Sequence, residues 1–470
     1  MTPENIGNST NEKRARTGFR TWLLIWGLGI AGQLCWNIEN QWFNTFIYAK
    51  IAKDPAIISW MVAISAIATT FATFFFGTLA DRKGTRKPFV AFGYITWGIC
   101  TIAFGLTEFI PKEQLMVAAV MVVIADAVMS FFGSMGNDAG FNAWTNDLMH
   151  DHNRGQIGAA LATQPVIGTI VGTLAGGAII GTEENYMRLF LVMGGLIIAV
   201  GIVALFTMKD SPTLKPNVEG GFWKQFASVF NFKKFFSQKE LIAVNVCVAV
   251  FFIGFNVYFA HMGNYMLHYL GFNESDMGLL QGVGLIFAML MVIPAVVLIN
   301  KNKSPLVCLI AIILAIAGLL WIFFAVNPEN VDPSGAFKGA NFKLMLGVFL
   351  VGVGYVVILQ TTTVWAKALY PADSKGQFEG VRILFFVLIP MVFGSLIATP
   401  VIRMSGLQIE GEAGMEYIPN EYIFLIGAII SAFAVIPLIF ARNLYVKRIK
   451  AAAAASAADV PVPTGTSDQN

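Results

Sequence analysis

The chain has 470 residues, of which 56% are hydrophobic and 13% charged, and a formal net charge of +3. A soluble domain carries about 25% charged residues, so this sequence lacks the polar surface that a water-soluble protein of its length needs. No basic run interleaved with aromatics marks a nucleic-acid platform, and Cys35, Cys100, Cys247 and Cys308, each in or beside an apolar stretch, show neither metal-ligand nor disulfide spacing.

Residues 1–18 read as disordered and contain no cleavable signal. A membrane helix needs roughly 20 mostly apolar residues, and the pattern predicts twelve, beginning with 20–48. In this first helix Gln33, Asn37, Asn40, Gln41 and Asn44 fall within an arc of roughly 100°, a polar stripe that cannot face lipid. It faces either another helix, as interhelical glue, or a water-filled cavity. The cavity is the preferred reading, because neutral amides donate and accept as sugar hydroxyls require, and Trp36 lies beside the stripe where it could stack on a sugar ring. Glu39 lies roughly 140° from the stripe's centre. It is expected off the cavity face, either paired within the N-terminal half or acting as a separate proton site.

The second helix, 57–80, contains no acid and runs into Gly77-Thr78-Leu79-Ala80-Asp81-Arg82-Lys83-Gly84-Thr85-Arg86-Lys87. Gly77 is expected to let the helix approach a neighbour closely, and Asp81 can bond basic side chains or a facing helix N-terminus. This loop resembles the signature G-x-x-x-D-R-x-G-x-R-K of the major facilitator superfamily at every defined position. The resemblance implies an all-α membrane protein of twelve transmembrane helices in two six-helix pseudo-repeats, cytoplasmic termini and rocker-switch alternating access. It also implies that Gly77, Asp81, Arg82, Gly84, Arg86 and Lys87 latch the outward-facing state, with Asp81 facing the start of the eleventh helix near Gly376. The second copy, Asn300-Lys301-Asn302-Lys303, lacks the acid and the glycine, so the latch is asymmetric.

After a third helix at 88–108, the fourth, 114–146, carries Asp126. That residue sits about twelve positions in, ~18 Å down and near the midplane. An ionisable group there is costly unless paired or hydrated, so Asp126 is read as a proton or cation site, or as an acceptor for substrate. The polar end Gly136-Asn137-Asp138-Ala139-Gly140-Phe141-Asn142, with Asp147 and Arg154 beyond it, resembles the glycoside–pentoside–hexuronide:cation symporters. In that group an acid on helix 4 contacts the sugar, which the resemblance extends to Asp126. The group's paired carboxylates in helix 2 are missing here, so a cation site would be built differently. His150-Asp151-His152 reads as a solvated loop, not a metal site. Helices at 156–181 and 187–208 complete the first half. In the connection, Phe222, Trp223, Phe226, Phe230 and Phe236 alternate with lysines and predict an amphipathic segment on the membrane surface.

The remaining helices are expected at 241–269, 276–299, 305–326, 342–369, 377–402 and 420–443. They repeat the first six: Trp144, Leu148, Gly155 and Gln156 recur at constant offset as Trp365, Leu369, Gly376 and Gln377. Such a repeat is parallel, about an axis along the membrane normal. The expected divisions are a segment 1–19, halves 20–208 and 241–443, a linker 209–240 and a disordered tail 444–470. Tyr258, His261, Tyr265 and His268 form one face of the seventh helix, where His261 is either a proton carrier or a core donor. Tyr355, Gln360, Thr361, Thr362, Thr363 and Trp365 make the tenth polar towards its end, and Glu379 and Arg382 open the eleventh as a pair. Lys and Arg crowd the termini and the even-numbered loops, so both termini are expected in the cytoplasm. The Ala-rich tail suits a cell (inner) membrane.

No nucleophile–base constellation, phosphate-binding loop or haem signature appears, so no enzyme, cofactor or metal is expected. The expected function is a monomeric secondary active transporter. Its solute is a sugar or glycoside coupled to a proton or sodium, bound by Gln33, Trp36, Asn37, Asn40, Asn44, Asp126, Tyr258, His261 and Gln360, with Asp126 and Glu39 coupling. The alternatives are a drug or metabolite exporter, whose apolar cavity the first helix argues against, a lipid flippase, and a membrane sensor, for which no long cytoplasmic domain is present.

Overall fold

The computed structural model describes residues 18–150, 153–212, 214–218, 220–228, 235–370, 381–411 and 414–458. The described chain forms twelve long helices. These are α1 (residues 19–51), α2 (Pro55–Lys83), α3 (Lys87–Gly105), α4 (residues 115–147), α5 (Arg154–Ile180), α6 (Tyr186–Thr207), α7 (Lys239–Tyr269), α8 (Glu274–Asn300), α9 (Ser304–Ala325), α10 (Phe342–Ala368), α11 (Val381–Ser405) and α12 (residues 422–458). Among the described residues, α2 to α12 are long and apolar enough to cross a membrane. Helix α1, diluted by its amides, packs against α5 and α6 in the same bundle.

Local chemistry sets the helix ends. Asp54 caps α2 by accepting from the Ala56 amide at 2.9 Å, with Pro55 at the first helical position. Gly84 ends α2 in the left-handed conformation, φ 63°, which costs glycine nothing. The start of α3 is capped from a distance: Asp210 accepts from the amides of Arg86 (2.8 Å) and Lys87 (2.9 Å) and from the Thr85 hydroxyl (2.6 Å). The expected disorder from 444 does not begin there, because α12 continues to Ala458. Its alanine run has the highest helix propensity. The expected disorder of residues 1–17 and of the last twelve residues lies outside the described residues.

Helix α1 is seated on a glycine ridge. A methyl group added at Gly168, Gly172 or Gly176 of α5 would overlap Gln33, Asn37 or Trp42 respectively. Close approach lets the Trp42 indole donate to the Gly172 carbonyl (3.1 Å) and Gln164 donate to the Ile25 carbonyl (2.9 Å).

The two sets of six helices meet at one end of the bundle. Ser59 of α2 donates to the Ser395 carbonyl of α11 (2.5 Å) and lies 2.6 Å from the Thr399 hydroxyl. Gly177 and Gly278 bring α5 and α8 into backbone contact. Between the expected helices 377–402 and 420–443 the chain forms an antiparallel hairpin, Leu407–Gly411 with Gly414–Ile418. This hairpin of the second half grips the first: Tyr417 N donates to Lys53 O (2.8 Å), Tyr48 donates to Tyr417 O (2.9 Å), and Lys53 pairs with Glu416 (3.0 Å). Arg403 pairs with Asp54 at 3.0 Å and lies over the Tyr417 ring.

The opposite end carries the start of α1, the end of α12 and most of the basic residues among those described. There Arg86 lies between Asp81 (2.6 Å) and Asp147 (2.9 Å). Burial works against its charge, but the two carboxylates outweigh burial and hold the guanidinium above its ordinary pKa. Arg82 donates to Gly220 O (2.8 Å) and to Gln225 (3.1 Å) of the short linker helix Phe222–Ser228, whose Phe222 and Phe226 pack on Phe75 and Phe71 of α2. The amphipathic linker segment is therefore docked on α2, with Trp223 left exposed. A methyl group at Gly77 would meet open space, contrary to the expected close approach, because the two sets of helices meet at the other end. The expected partner of Asp81 near Gly376 lies outside the described residues, as do Glu379, Asp151 and His152.

Candidate functional site

Four helices in this bundle depart from regular α geometry. Residues Ile38–Phe43 and Ile47–Ile51 of α1, Met135–Phe141 of α4, Tyr265–Tyr269 of α7 and Leu384–Leu388 of α11 take the wider π form. Such segments recur at functional sites, because the extra residue re-aims the side chains around it. Three of them converge on a cavity of about 130 Å³ between the two sets of helices, lined by Trp36, Glu39 and Asn40 of α1, Ser65, Ala66 and Thr69 of α2, Asp138 of α4, and Val387 and Met391 of α11. Glu39, Asp138 and Val387 each sit in a π segment. The cavity lies directly below the closed end: along α2 its lining begins about two turns after Ser59, and along α11 it stops one turn before Ser395. A second, smaller apolar cavity of about 30 Å³ lies between Pro165, Val166, Thr169 and Ile170 of α5, Leu285 of α8, and Tyr355, Val356 and Leu359 of α10.

Glu39 shares the cavity with Trp36 and Asn40, which corrects the expectation that it points elsewhere. The stripe's centre lies instead towards α5, so the α1 face that meets the cavity is the one carrying Trp36, Glu39 and Asn40. Glu39 is 6% exposed. One oxygen accepts from the Ser130 hydroxyl at 2.7 Å, and Oε2 has no hydrogen-bond partner. Ser130 is one turn along α4 from Asp126, which brings Asp126 close enough for the two carboxyls to interact electrostatically. Asp126 is fully buried and neither of its oxygens accepts a hydrogen bond. It lies behind the cavity wall, beside Ser65. Asp138 faces the same space and interacts electrostatically with Arg382.

The amide stripe divides. Asn40 lines the cavity; its amide nitrogen donates to the Trp36 carbonyl at 2.7 Å, leaving its oxygen free to accept. Asn37 and Gln41 turn to α5 and α8 instead. Asn37 donates to Thr173 (3.3 Å), Thr173 donates to Gln41 Oε1 (2.8 Å), and Gln41 donates to Gln281 Oε1 (2.9 Å), bridging the two halves. Asn44 is buried, donates to the Asn40 carbonyl (2.7 Å), and accepts at its own carbonyl from Asn264 of α7 (3.0 Å). For Asn37 and Asn44 the glue reading therefore describes this conformation. The Gln33 backbone packs on Gly168.

Tyr258 and Tyr265 do share a face, but that face packs on Phe424 of α12, away from the cavity. His261 is fully buried with neither ring nitrogen bonded, outside both cavities, and Gln360 is half-buried and lines neither. Sequence reasoning missed Ser65, Thr69 and Asp138 as lining residues. An acid inside the fourth span was the available signal for Asp138, and only the packing of α2 against α4 and α11 reveals the hydroxyls.

A family model described as Major Facilitator Superfamily matches residues 25–395. No curated protein matches the sequence. Among solved structures, the chain is similar to the nucleoside transporter NupG, at 14% identity and a TM-score of 0.56 over 90% of this chain and 99% of that one. A point mutant of NupG gives 15% and 0.65 over 89% and 99%. A bacterial homolog to the human lysosomal transporter Spinster, in an inward-facing and occupied conformation, gives 14% and 0.65 over 92% and 98%. At these identities the likeness is one of fold.

Proposed function

The chain belongs to the Major Facilitator Superfamily, an integral membrane transporter and not an enzyme, and from that premise we propose that it carries a sugar or glycoside by proton- or cation-coupled alternating access. The observation that supports this reading best is the polar cavity between the halves, where Trp36 offers a stacking surface beside the amide of Asn40, the hydroxyls of Ser65 and Thr69, and the carboxyls of Glu39 and Asp138. A polyhydroxylated ring needs that mixture of an apolar face and in-plane hydrogen-bonding groups. The nucleoside transporter among the fold neighbours suits the same class, since a nucleoside is itself a glycoside.

With the basic end in the cytoplasm, as the positive-inside rule assigns it, the hairpin end faces outside and the state is closed outward. Glu39, which accepts from the Ser130 hydroxyl, and Asp126, one turn of α4 from that serine, are the coupling groups in this reading. They are the buried carboxyls nearest the solute that carry no cation partner among the described residues. Uptake of a labelled panel of sugars, glycosides and nucleosides into proteoliposomes, with and without imposed proton and sodium gradients, tests the proposal. Accumulation of a member of the panel under one of the gradients is the expected result, and transport of apolar drugs or lipids alone would overturn it.

A further inference from the structure

The polar cavity gathers more acidic groups than a neutral sugar requires. Glu39 and Asp138 line it and Asp126 lies behind its wall, while the basic group that acts on any of the three, among the described residues, is Arg382, through Asp138. The charged neighbours of Glu39 are the acids Asp126 and Asp138. Its Oε2 is buried and unbonded, in a residue that lines the cavity, while Oε1 is already held by Ser130. A carboxylate desolvated to that degree is costly without a cationic or donor partner.

The neighbouring polar groups have spent hydrogens elsewhere. The Ser65 hydroxyl donates to the Val62 carbonyl (3.2 Å), and the Asn40 amide donates one hydrogen to the Trp36 carbonyl (2.7 Å), which leaves the Asn40 oxygen able to accept. Asp138 accepts from the neighbouring Asn137 amide at 3.3 Å and from no hydrogen of the α1 wall. Glu39, Asn40, Ser65 and Asp138 thus bring two carboxyls, an amide oxygen and a hydroxyl oxygen to one space, with Trp36 in the same lining.

We infer that the preferred solute carries a protonated amine, an amino sugar or amino glycoside, whose ammonium is held by Glu39 and Asn40 beside the Trp36 ring. An ammonium supplies three donors and no acceptor, which suits the carboxyls and the amide oxygen of this lining. A cation near an aromatic face gains further attraction. The inference rests on the proposed sugar-class function and narrows it.

The test is equilibrium binding to the purified full chain, by calorimetry, of glucosamine, glucose, N-acetylglucosamine and glucuronate, with putrescine as an amine that is not a sugar. Glucosamine is expected to bind about ten- to a hundredfold more tightly than glucose or its N-acetyl form, the range for a charge-assisted hydrogen bond in a desolvated site. Glucuronate is expected to bind most weakly. Glu39→Gln should bring glucosamine down to the affinity of glucose. Should that variant not survive purification, Asp138→Asn carries the same expectation with a smaller change. Equal affinity for glucosamine and glucose, or a preference that neither substitution alters, overturns the amine inference and leaves the sugar reading standing. Binding of putrescine through Glu39 with no sugar bound supports the amine anchor and overturns the sugar reading. Failure of the whole panel overturns both.

Discussion

The amides of α1 divide into two roles that melting curves and calorimetry can separate. Asn37 and Asn44 are buried among α5, α7 and their own helix. Replacing either by Leu is expected to lower stability by about 1–3 kcal/mol, because partners lose their bonds, while the affinity of the protein that survives is retained. Asn40 and Trp36 line the cavity, so Asn40→Leu and Trp36→Ala are expected to weaken solute binding by about ten- to a hundredfold with smaller changes in melting. Unaltered affinity in both would move the site elsewhere. Asp126 holds no hydrogen bond that folding depends on, so Asp126→Asn is expected to fold and to lose concentrative uptake while retaining passive exchange. Normal accumulation by that variant would remove Asp126 from coupling. Residue identity made Asp126, Glu39 and the stripe legible in the sequence. Their directions were not, because nothing in a single sequence announces the glycine ridge of a partner helix or a local widening to the π form.

At the scale of elements, the α1–α5 contact depends on three glycines that a methyl group would fill. Gly172→Ala is expected to cost about 1–3 kcal/mol through overpacking against Asn37, read as a lowered melting temperature. The same substitution at Gly77, which faces open space, should cost little in this state. The hairpin is a second element with a local task. Its ion pair with Lys53 is partly exposed, 30% for both Lys53 and Glu416, as is the adjacent Arg403–Asp54 pair between α11 and the α2 cap, and an exposed pair contributes about 0–1 kcal/mol. Removing Lys53–Glu416 and Arg403–Asp54 together is therefore expected to loosen the closed end without unfolding the chain. Labelling of a cysteine placed at Ser59 should then rise from the hairpin side, and unchanged labelling would show that the clasp does not hold that end. The spans α2 to α12 were legible because apolar runs of the right length admit few alternatives. The hairpin was not, since ten residues of mixed polarity have no helical period and pair only because Lys53 and Tyr48 stand opposite.

At the scale of the whole molecule, the signature loop is folded back on its own half, with Asp81 on Arg86 and Arg86 on Asp147, while the cavity is sealed at the hairpin end. If the loop latches the alternative state, Asp81→Ala favours the arrangement seen here. Cysteines introduced at Thr69 and Val387 should then label faster from the basic end, and equal rates would count against the latch. Repeat, fold and family were legible from a single motif and a recurring tryptophan. The state of the carrier was not, because one sequence encodes every conformation of the cycle.

The composition of the seal has a thermal consequence. The contacts that must part when the hairpin end opens include amide pairs, Gln41 with Gln281 and Asn264 with the Asn44 carbonyl, a hydroxyl pair at Ser59 and Thr399, and glycine backbone at Gly177 and Gly278. Wetting apolar surface raises heat capacity and wetting polar surface lowers it. A seal of this mixed kind therefore opens with a small heat-capacity change, and the balance between the two states should vary little in slope with temperature. A van't Hoff plot of hairpin-side accessibility should run nearly straight, and replacing Gln41 and Gln281 together by Leu should bend it.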